Sequence, residues 1–298
     1  MGAAHEETSA SPAVGVIGLG AMGSPMARRL AGAGRGPVMV SARRPEQAED
    51  ALAAGARWAA SPRELGARCD VLLSMLPDLP QLRSVLEGPE GFLAGAAGRE
   101  VLVIVGSTSS PTGVRELAED LGTRARVVDA PVSGGVEGAE AGSLSIMVGG
   151  EEHDAARARA VLEPCGTAVR LGPLGAGQIA KACNQLVVGA TALALGEAAA
   201  LASRSGLDVA RLFGVLAEGY ADSRVLRTRG AAMVAEDYRP GGIAAYMVKD
   251  LNFGADVAGA AAVNPALLPV LLESYEELVR RGLGDQDLSV TRRYVEER

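Results

Sequence analysis

A glycine-rich turn, Gly18-Leu-Gly-Ala-Met-Gly23, lies between a short β-branched run, Val14–Ile17, and a helix-patterned stretch that Pro25 opens. No other feature constrains the chain as strongly. Glycine at the first, third and sixth places allows a tight turn, a close backbone approach to an anion, and close packing of helix on strand. The helix N-terminus then directs its free N–H groups at that anion. Gly18, Leu19, Gly20, Ala21, Met22 and Gly23 therefore read as the pyrophosphate loop of a dinucleotide site. The same spacing suits a purely structural turn in a chain with 39 glycines. The strand before it and the helix after it favour the binding reading.

The alternation continues through the first half. Short β-rich runs fall at Val14–Ile17, Val38–Val40, Val71–Met75, Val101–Val105, Val127–Asp129, Ser145–Val148 and Ala168–Leu171. Helix-patterned segments such as Met26–Ala33, Pro45–Ala54 and Gln81–Leu86 separate the early ones. This spacing implies a parallel sheet covered on both faces, with room for antiparallel edges among the later strands. After Gly175 the pattern changes. A helix of about 27 residues is expected from Gln178 to Arg204, roughly 40 Å long. It is small and apolar on nearly every side, as a helix buried all round would be. Gly206 suits its C-terminal stop and Asp208 the cap of a following helix, Val209–Ala217. No strand is expected beyond Leu171. The expected fold class is α/β: an N-terminal Rossmann dinucleotide-binding domain over residues 13–175, then an all-helical C-terminal domain over 176–298. A long interdomain helix joins them, and residues 1–12 form a flexible tail.

Composition narrows the function. The 48% hydrophobic and 22% charged content is that of a globular chain. A net charge of −7 argues against a nucleic-acid partner, which needs a basic face. The histidines, His5 and His153, and the cysteines, Cys69, Cys165 and Cys183, form no CxxC or HExxH pair, so no metal site is expected. Both histidines sit in polar surroundings and read as solvated, which removes histidine catalysis. Met1–Pro12 carries acids, no basic start and no apolar run, unlike a signal peptide. Within Ile179–Ala202, Lys181 and Glu197 leave only Ala182–Gly196 uncharged, short of the ~18 apolar residues of a membrane span. A cytoplasmic protein without a membrane partner is expected.

Three further runs carry chemistry. A nucleotide fold that binds NAD usually places a carboxylate about 20 residues past the glycine turn, on the ribose hydroxyls. Here Ser41-Ala42-Arg43-Arg44 stands instead. Arg43 and Arg44 suit a 2′-phosphate, so NADP(H) is preferred and NAD(H) is the second option; two simply solvated arginines are the plainer reading. In Asp129-Ala-Pro-Val-Ser-Gly-Gly, Ser133, Gly134 and Gly135 either present a hydroxyl and successive N–H groups to a carboxylate or form an ordinary β-turn. In Gly175-Ala-Gly-Gln-Ile-Ala-Lys-Ala-Cys-Asn-Gln, helical spacing puts Gln178, Lys181 and Gln185 on one face, with Asn184 a further neighbour of Lys181. Of the 29 basic side chains only Lys181 and Lys249 are lysines. Arginine serves where charge is enough, and a lysine offers what arginine lacks, an exchangeable proton. The alternative is that both are leftovers of codon bias. Lys249 stands in Met247-Val-Lys-Asp-Leu, beside Asp250.

Together these motifs resemble the β-hydroxyacid dehydrogenase family, which includes 3-hydroxyisobutyrate dehydrogenase, tartronate semialdehyde reductase and glyoxylate/succinic semialdehyde reductases. The resemblance covers about residues 14 to 295. It rests on GLGAMGSPMA, the Met75-Leu-Pro run, Ser107-Thr108 with Pro111, DAPVSGG through Gly142-Ser-Leu-Ser-Ile-Met-Val-Gly-Gly, GAGxxxKxxNQ, Lys249-Asp-Leu and Asp287-Leu-Ser289. The resemblance implies that Lys181 is the catalytic lysine, that Asn184 helps hold substrate, and that Ser133, Gly134 and Gly135 bind its carboxylate. It implies that Leu76, Pro77 and Thr108 touch the cofactor and that Lys249 lies near the nicotinamide ribose. It further implies a C-terminal domain of the 6-phosphogluconate dehydrogenase type, a small carboxylate substrate, and a homodimer or homotetramer formed through the helical domain.

The expected chemistry is NADP-dependent interconversion of a small β-hydroxyacid and its semialdehyde or oxo acid, with Lys181 as general acid or base. A lysine of ordinary pKa near 10.4 must be depressed to act as base, and burial near Lys249 would do so. Val105 stands where relatives commonly have Asp and Gly242 where they often have Phe. Tyr220 and Tyr246 replace aliphatics of some subgroups. These departures are expected to reshape the substrate pocket and leave the individual hydroxyacid open. Imine reductases are similar and also use NADPH, but there the lysine is generally replaced. A non-catalytic NADP-binding module would have lost Lys181 or the Ser133 loop, and both are present.

Overall fold

The computed structural model describes residues 11–298, so His5 and most of the expected tail lie outside the described residues. The first unit is built on strands β1 (Val14–Ile17), β2 (Val38–Ser41), β3 (Arg57–Trp58), β4 (Val71–Ser74), β5 (Leu102–Val105), β6 (Arg126–Asp129), β7 (Val132–Ser133), β8 (Leu144–Gly149) and β9 (Gly166–Gly172). Between them run α1 (Gly23–Gly32), α2 (Glu49–Ala53), α3 (Pro62–Arg68), α4 (Leu79–Leu86), α5 (Phe92–Gly95), α6 (Pro111–Leu121), α7 (Gly135–Ala141) and α8 (Glu152–Leu162). The sheet order is β3-β2-β1-β4-β5-β6-β8-β7, with β9 also on β8. Strands β1 to β6 pair in parallel, whereas β8 runs antiparallel to β6 and β7. The order reverses direction between β1 and β4, the place where ligands bind in open parallel sheets.

The four-residue strands are mostly apolar because both faces of the sheet are covered. Alternate side chains divide between two cores. Val14, Val16, Val38, Val40, Val71, Leu73, Leu102 and Ile104 pack on one face with Met26 and Leu30 of α1. Ile17, Met39, Leu72, Val103 and Val105 pack on the other with Leu65, Leu82, Phe92 and Leu117. Short polar side chains start the helices. Ser61, Asp78 and Ser110 accept from the backbone N–H of Glu64, Gln81 and Gly113, each with proline at the start of the helix. The two-residue strands β3 and β7 were not expected, since two residues give no alternation to read.

Helix α9 (Ala176–Arg204) is 29 residues long. It starts on a buried carboxylate at the end of β6: Asp129 accepts the Gly175 and Gln178 N–H groups, both at 2.7 Å. Burial pushes this carboxyl up to about 6, against the two backbone donors, which favour the charged form. The helix ends as expected, Gly206 adopting φ +77° and Leu207 N–H returning to the Ala202 carbonyl. Chain contacts divide the molecule at Gln178/Ile179, within the first turn of α9.

The second unit adds α10 (Val209–Leu216), α11 (Arg224–Ala235), α12 (Tyr246–Ala260), α13 (Leu268–Arg280) and α14 (Thr291–Glu296). Asp208 caps α10 by accepting from Arg211 N–H. Beyond β9 the described residues hold no strand, only an Ile243/Asp287 bridge. Small residues let α9 approach its neighbours closely. A Cβ at Gly189 would come 2.8 Å from Met247 Cε, and one at Gly196 2.7 Å from the Thr291 backbone. Tyr275, wholly buried, donates to the Gly189 carbonyl.

Two expectations for α9 need correction. Its most apolar 18 residues have a mean hydropathy of 1.7, so by length and composition it is long and apolar enough to cross a membrane. The uncharged-run argument missed this because two charges barely lower an average. Ala192, Leu195, Ala199 and Ala202 are buried in the second unit, as in a core helix. Nor is α9 buried all round in one chain: Val187 is 64% and Leu201 70% exposed. Asp129→Ala is expected to leave two buried donors unpaired and cost about 2–4 kcal/mol, read as a lower denaturant midpoint.

Candidate active site

The parallel register ends five strands on one rung: Ile17 pairs with Ser41 and Ser74, Ser74 with Val105, and Val105 with Asp129. Each motif of the first unit begins just past that rung. The glycine turn follows Ile17, Arg43 and Arg44 follow Ser41, and Leu76 and Pro77 follow Ser74. Thr108 follows Val105, and Ser133 follows Asp129. Segments dispersed over more than a hundred residues of chain thus meet at one edge of the sheet.

The glycine turn has the shape that its spacing demands. Gly18 adopts φ +89°, and a Cβ there would lie 2.6 Å from the Met75 carbonyl carbon. A Cβ at Gly23 would overlap the Gly18 carbonyl oxygen. Gly20 differs, for a Cβ there meets nothing within 4 Å. The first and last glycines are required by the protein's own packing, whereas the middle one leaves open space beside the N-terminus of α1. That is a cradle suited to a pyrophosphate. Leu19 is buried beneath the turn, Ala21 is exposed and Met22 half-buried.

Around this cradle Arg43 and Arg44 are both exposed, with Arg44 Nε 3.9 Å from Glu46. Leu76 is half-buried and Pro77 exposed. Ser133 is the last residue of β7, paired with Ser145 of β8. Gly134 and Gly135 follow with φ +141° and +70°, and α7 begins at Gly135. The run is therefore a strand end entering a helix, with two successive residues in conformations that favour glycine. Asn184 and Lys181 stand in α9, and Lys249 in α12, exposed, with its Nζ 5.9 Å from the centroid of the Phe253 ring.

Sequence reasoning gave no role to Gln178. Its Oε1 accepts the Ser109 N–H and its Nε2 donates to the Ser107 carbonyl, both at 2.9 Å, so it clamps the loop on either side of Thr108. With Asp129 on the Gln178 N–H, the end of β5, the end of β6 and the start of α9 share one buried hydrogen-bond network. The available signal was an amide three residues before the lysine, on the same face.

In the second unit Lys181 is only 7% exposed. Its Nζ donates to Gln185 Oε1 at 2.9 Å, and Asn184 Nδ2 donates to the same oxygen at 2.9 Å. Gln185 Nε2 in turn donates to Asp250 Oδ2 at 2.6 Å. Burial pushes the lysine down to about 8, helped by Lys249 and opposed by Asp250. The expected depression is present, with desolvation its main cause. Burial also raises the Asp250 carboxyl, against the pull of both lysines. Such an amine exchanges a proton near neutral pH, which suits acid–base work.

The departures fall in different places. Val105, the last residue of β5, is wholly buried in the second core of the sheet. Gly242 is exposed and its N–H donates to Asp287 Oδ2 at 2.8 Å. Tyr220 is fully exposed and Tyr246 mostly so.

Both units are similar to known proteins. Residues 13–175 match the NAD binding domain of 6-phosphogluconate dehydrogenase, and residues 175–295 the NAD-binding domain of NADP-dependent 3-hydroxyisobutyrate dehydrogenase. A probable 3-hydroxyisobutyrate dehydrogenase-like 2, mitochondrial, of Arabidopsis thaliana is 37% identical over 87% of each chain. The 2-hydroxy-3-oxopropionate reductase of Escherichia coli is 37% identical over 84% of this chain and 86% of its own. A Mycobacterium tuberculosis 3-hydroxyisobutyrate dehydrogenase structure with L-serine has a TM-score of 0.82 at 33% identity, covering 95% of this chain and 99% of that one. The fold and the matches define a nicotinamide-dinucleotide oxidoreductase that acts on a CH–OH group. The chain belongs to the β-hydroxyacid dehydrogenase family.

Gln178→Ala removes both loop bonds and leaves the buried Ser109 N–H unpaired. The expected cost is about 1–3 kcal/mol, with faster hydrogen exchange at Ser109 as the local readout.

Proposed function

We propose that the protein interconverts a small β-hydroxyacid and its semialdehyde or oxo acid using NADP(H), with Lys181 as the proton-transfer group. The observation that carries this reading is Lys181 itself: a rare lysine, buried, hydrogen-bonded to an amide and depressed to about 8. In reduction its ammonium gives a proton to the developing alkoxide; in oxidation its amine takes the proton from the hydroxyl. When bound, the nicotinamide supplies or accepts the hydride at the carbon of that C–O bond. Asn184 helps hold the substrate, and Ser133, Gly134 and Gly135 take its carboxylate. The Gly18–Gly23 turn holds the pyrophosphate, Leu76, Pro77 and Thr108 line the rest of the dinucleotide, and Lys249 serves its ribose. Arg43 and Arg44, just past β2 with no carboxylate in the place of an NAD-type acid, support a 2′-phosphate and hence NADP over NAD. Lys181 also favours this reading over imine reduction and over a non-catalytic binding module.

A homodimer or homotetramer would cover the apolar side chains that α9 exposes, such as Val187 and Leu201. A cytoplasmic location suits three unpaired cysteines, of which Cys69 and Cys165 are buried. Neither a nucleic acid nor a membrane is needed as a partner.

The test follows loss of NADPH with glyoxylate, succinic, tartronate and methylmalonate semialdehydes and a cyclic imine, with NADH in parallel. Turnover of one semialdehyde is expected, and Lys181→Ala should lower kcat by about 10²–10⁴-fold while keeping dinucleotide binding. Turnover of the imine alone would overturn the reading. Because reduction needs the ammonium, its kcat/KM should be level below pH 8 and fall about tenfold per unit above it. Oxidation should show the mirror image, rising to a plateau above 8. Arg43→Ala with Arg44→Ala should weaken NADPH binding by at least about tenfold and leave NADH binding unchanged.

A further inference from the structure

Asp250 is 5% exposed and sits behind Lys181 with Gln185 between them. Its Oδ2 takes the Gln185 amide N–H at 2.6 Å, while its Oδ1 is buried without a hydrogen-bond partner among the described residues. Half-satisfied buried carboxyl groups are costly. A carboxyl kept at that cost calls for a task.

The chemistry of the three groups supplies one. Gln185 turns its NH₂ to Asp250 Oδ2; with that carboxyl ionised, the reverse would set two oxygens against each other. The amide oxygen is then committed to the other side, where it accepts from Lys181 Nζ and Asn184 Nδ2. An amide oxygen is too weak a base to take the lysine's proton, and it accepts an N–H from the ammonium and, more weakly, from the neutral amine. The lysine is thus held in both protonation states, and the proton that moves is one of those Gln185 does not use.

We propose that Asp250 and Gln185 are positioning residues for Lys181, the buried carboxylate setting the direction of the Gln185 amide and the amide oxygen so directed holding the lysine amine. This rests on Lys181 being the proton-transfer group. The charged groups acting on Lys181 are Asp250 and Lys249, both from α12, with opposite effects on its proton. The positioning chain thus also opposes the desolvation that would otherwise strip the lysine of its charge.

The experiment measures reductive kcat/KM against pH, with NADPH binding by fluorescence, for Asp250→Asn and Gln185→Glu. In Asp250→Asn the charge is lost and the amide is free to turn its NH₂ to the lysine. The falling limb should move down by about one pH unit, making kcat/KM at pH 9 about tenfold lower, with NADPH affinity unchanged. In Gln185→Glu the new carboxyl and Asp250 share one proton, and the pair's negative charge then lies directly against the ammonium instead of one residue behind it, so the limb should move up. Limbs that stay in place, or move in the same direction, overturn the proposal. If Asp250→Asn fails to fold, Gln185→Glu decides it alone, an unmoved limb being the overturning result. Near-normal turnover by Lys181→Ala overturns the lysine reading itself. Loss of turnover there, with unmoved limbs in the other two variants, overturns only the positioning chain.

Discussion

The parallel hydrogen-bond register of five strands is the constraint on which the rest depends. It ends Ile17, Ser41, Ser74, Val105 and Asp129 on one rung, and every motif of the first unit begins within a few residues of that level. A slip of one residue in any strand would move its side chains from one core to the other. Successive strand side chains are buried in opposite cores, so the register is held by burial on both sides. The glycine turn, the arginines and the Thr108 loop need no further device to share an edge.

The rung also explains why Asp129 is worth burying. It is the last residue of β6, and its carboxylate faces the first turn of α9 at the point where free N–H groups await an acceptor. Gln178, which the same carboxylate holds by its backbone, returns its side chain to the end of β5. The long helix therefore starts from a fixed position. Further along it, Gly189 and Gly196 admit neighbouring side chains and backbone at distances that a Cβ would forbid. The small composition of α9 is a packing requirement at these positions.

Much of this was legible in the residues. Val14–Ile17 reads as a strand because four apolar residues precede a glycine turn, and β4 to β6 are legible for the same kind of reason. Arg57–Trp58 and Val132–Ser133 were not, because strands of two residues exist only through the neighbours that pair with them. The glycine spacing marked the dinucleotide loop, but not that Gly20 alone faces open space. The rarity of lysine singled out Lys181, and helical spacing brought Gln185 to it. Nothing in the spacing predicted that Gln178 would turn back to the Thr108 loop, since helical periodicity names a face and not the partner of each side chain.

The sequence by itself determined the family, the alternation of strands and helices in the first unit, the glycine turn and the rarity of Lys181, because each depends on local spacing or on residue type. Tertiary structure decided what Asp129, Gln178 and Asp250 do. Their partners lie 46 to 71 residues away in the chain, and the value of a buried polar group is set by the partner that satisfies it. It also lowered the pKa of Lys181, because desolvation belongs to the surroundings that folding assembles and not to the side chain.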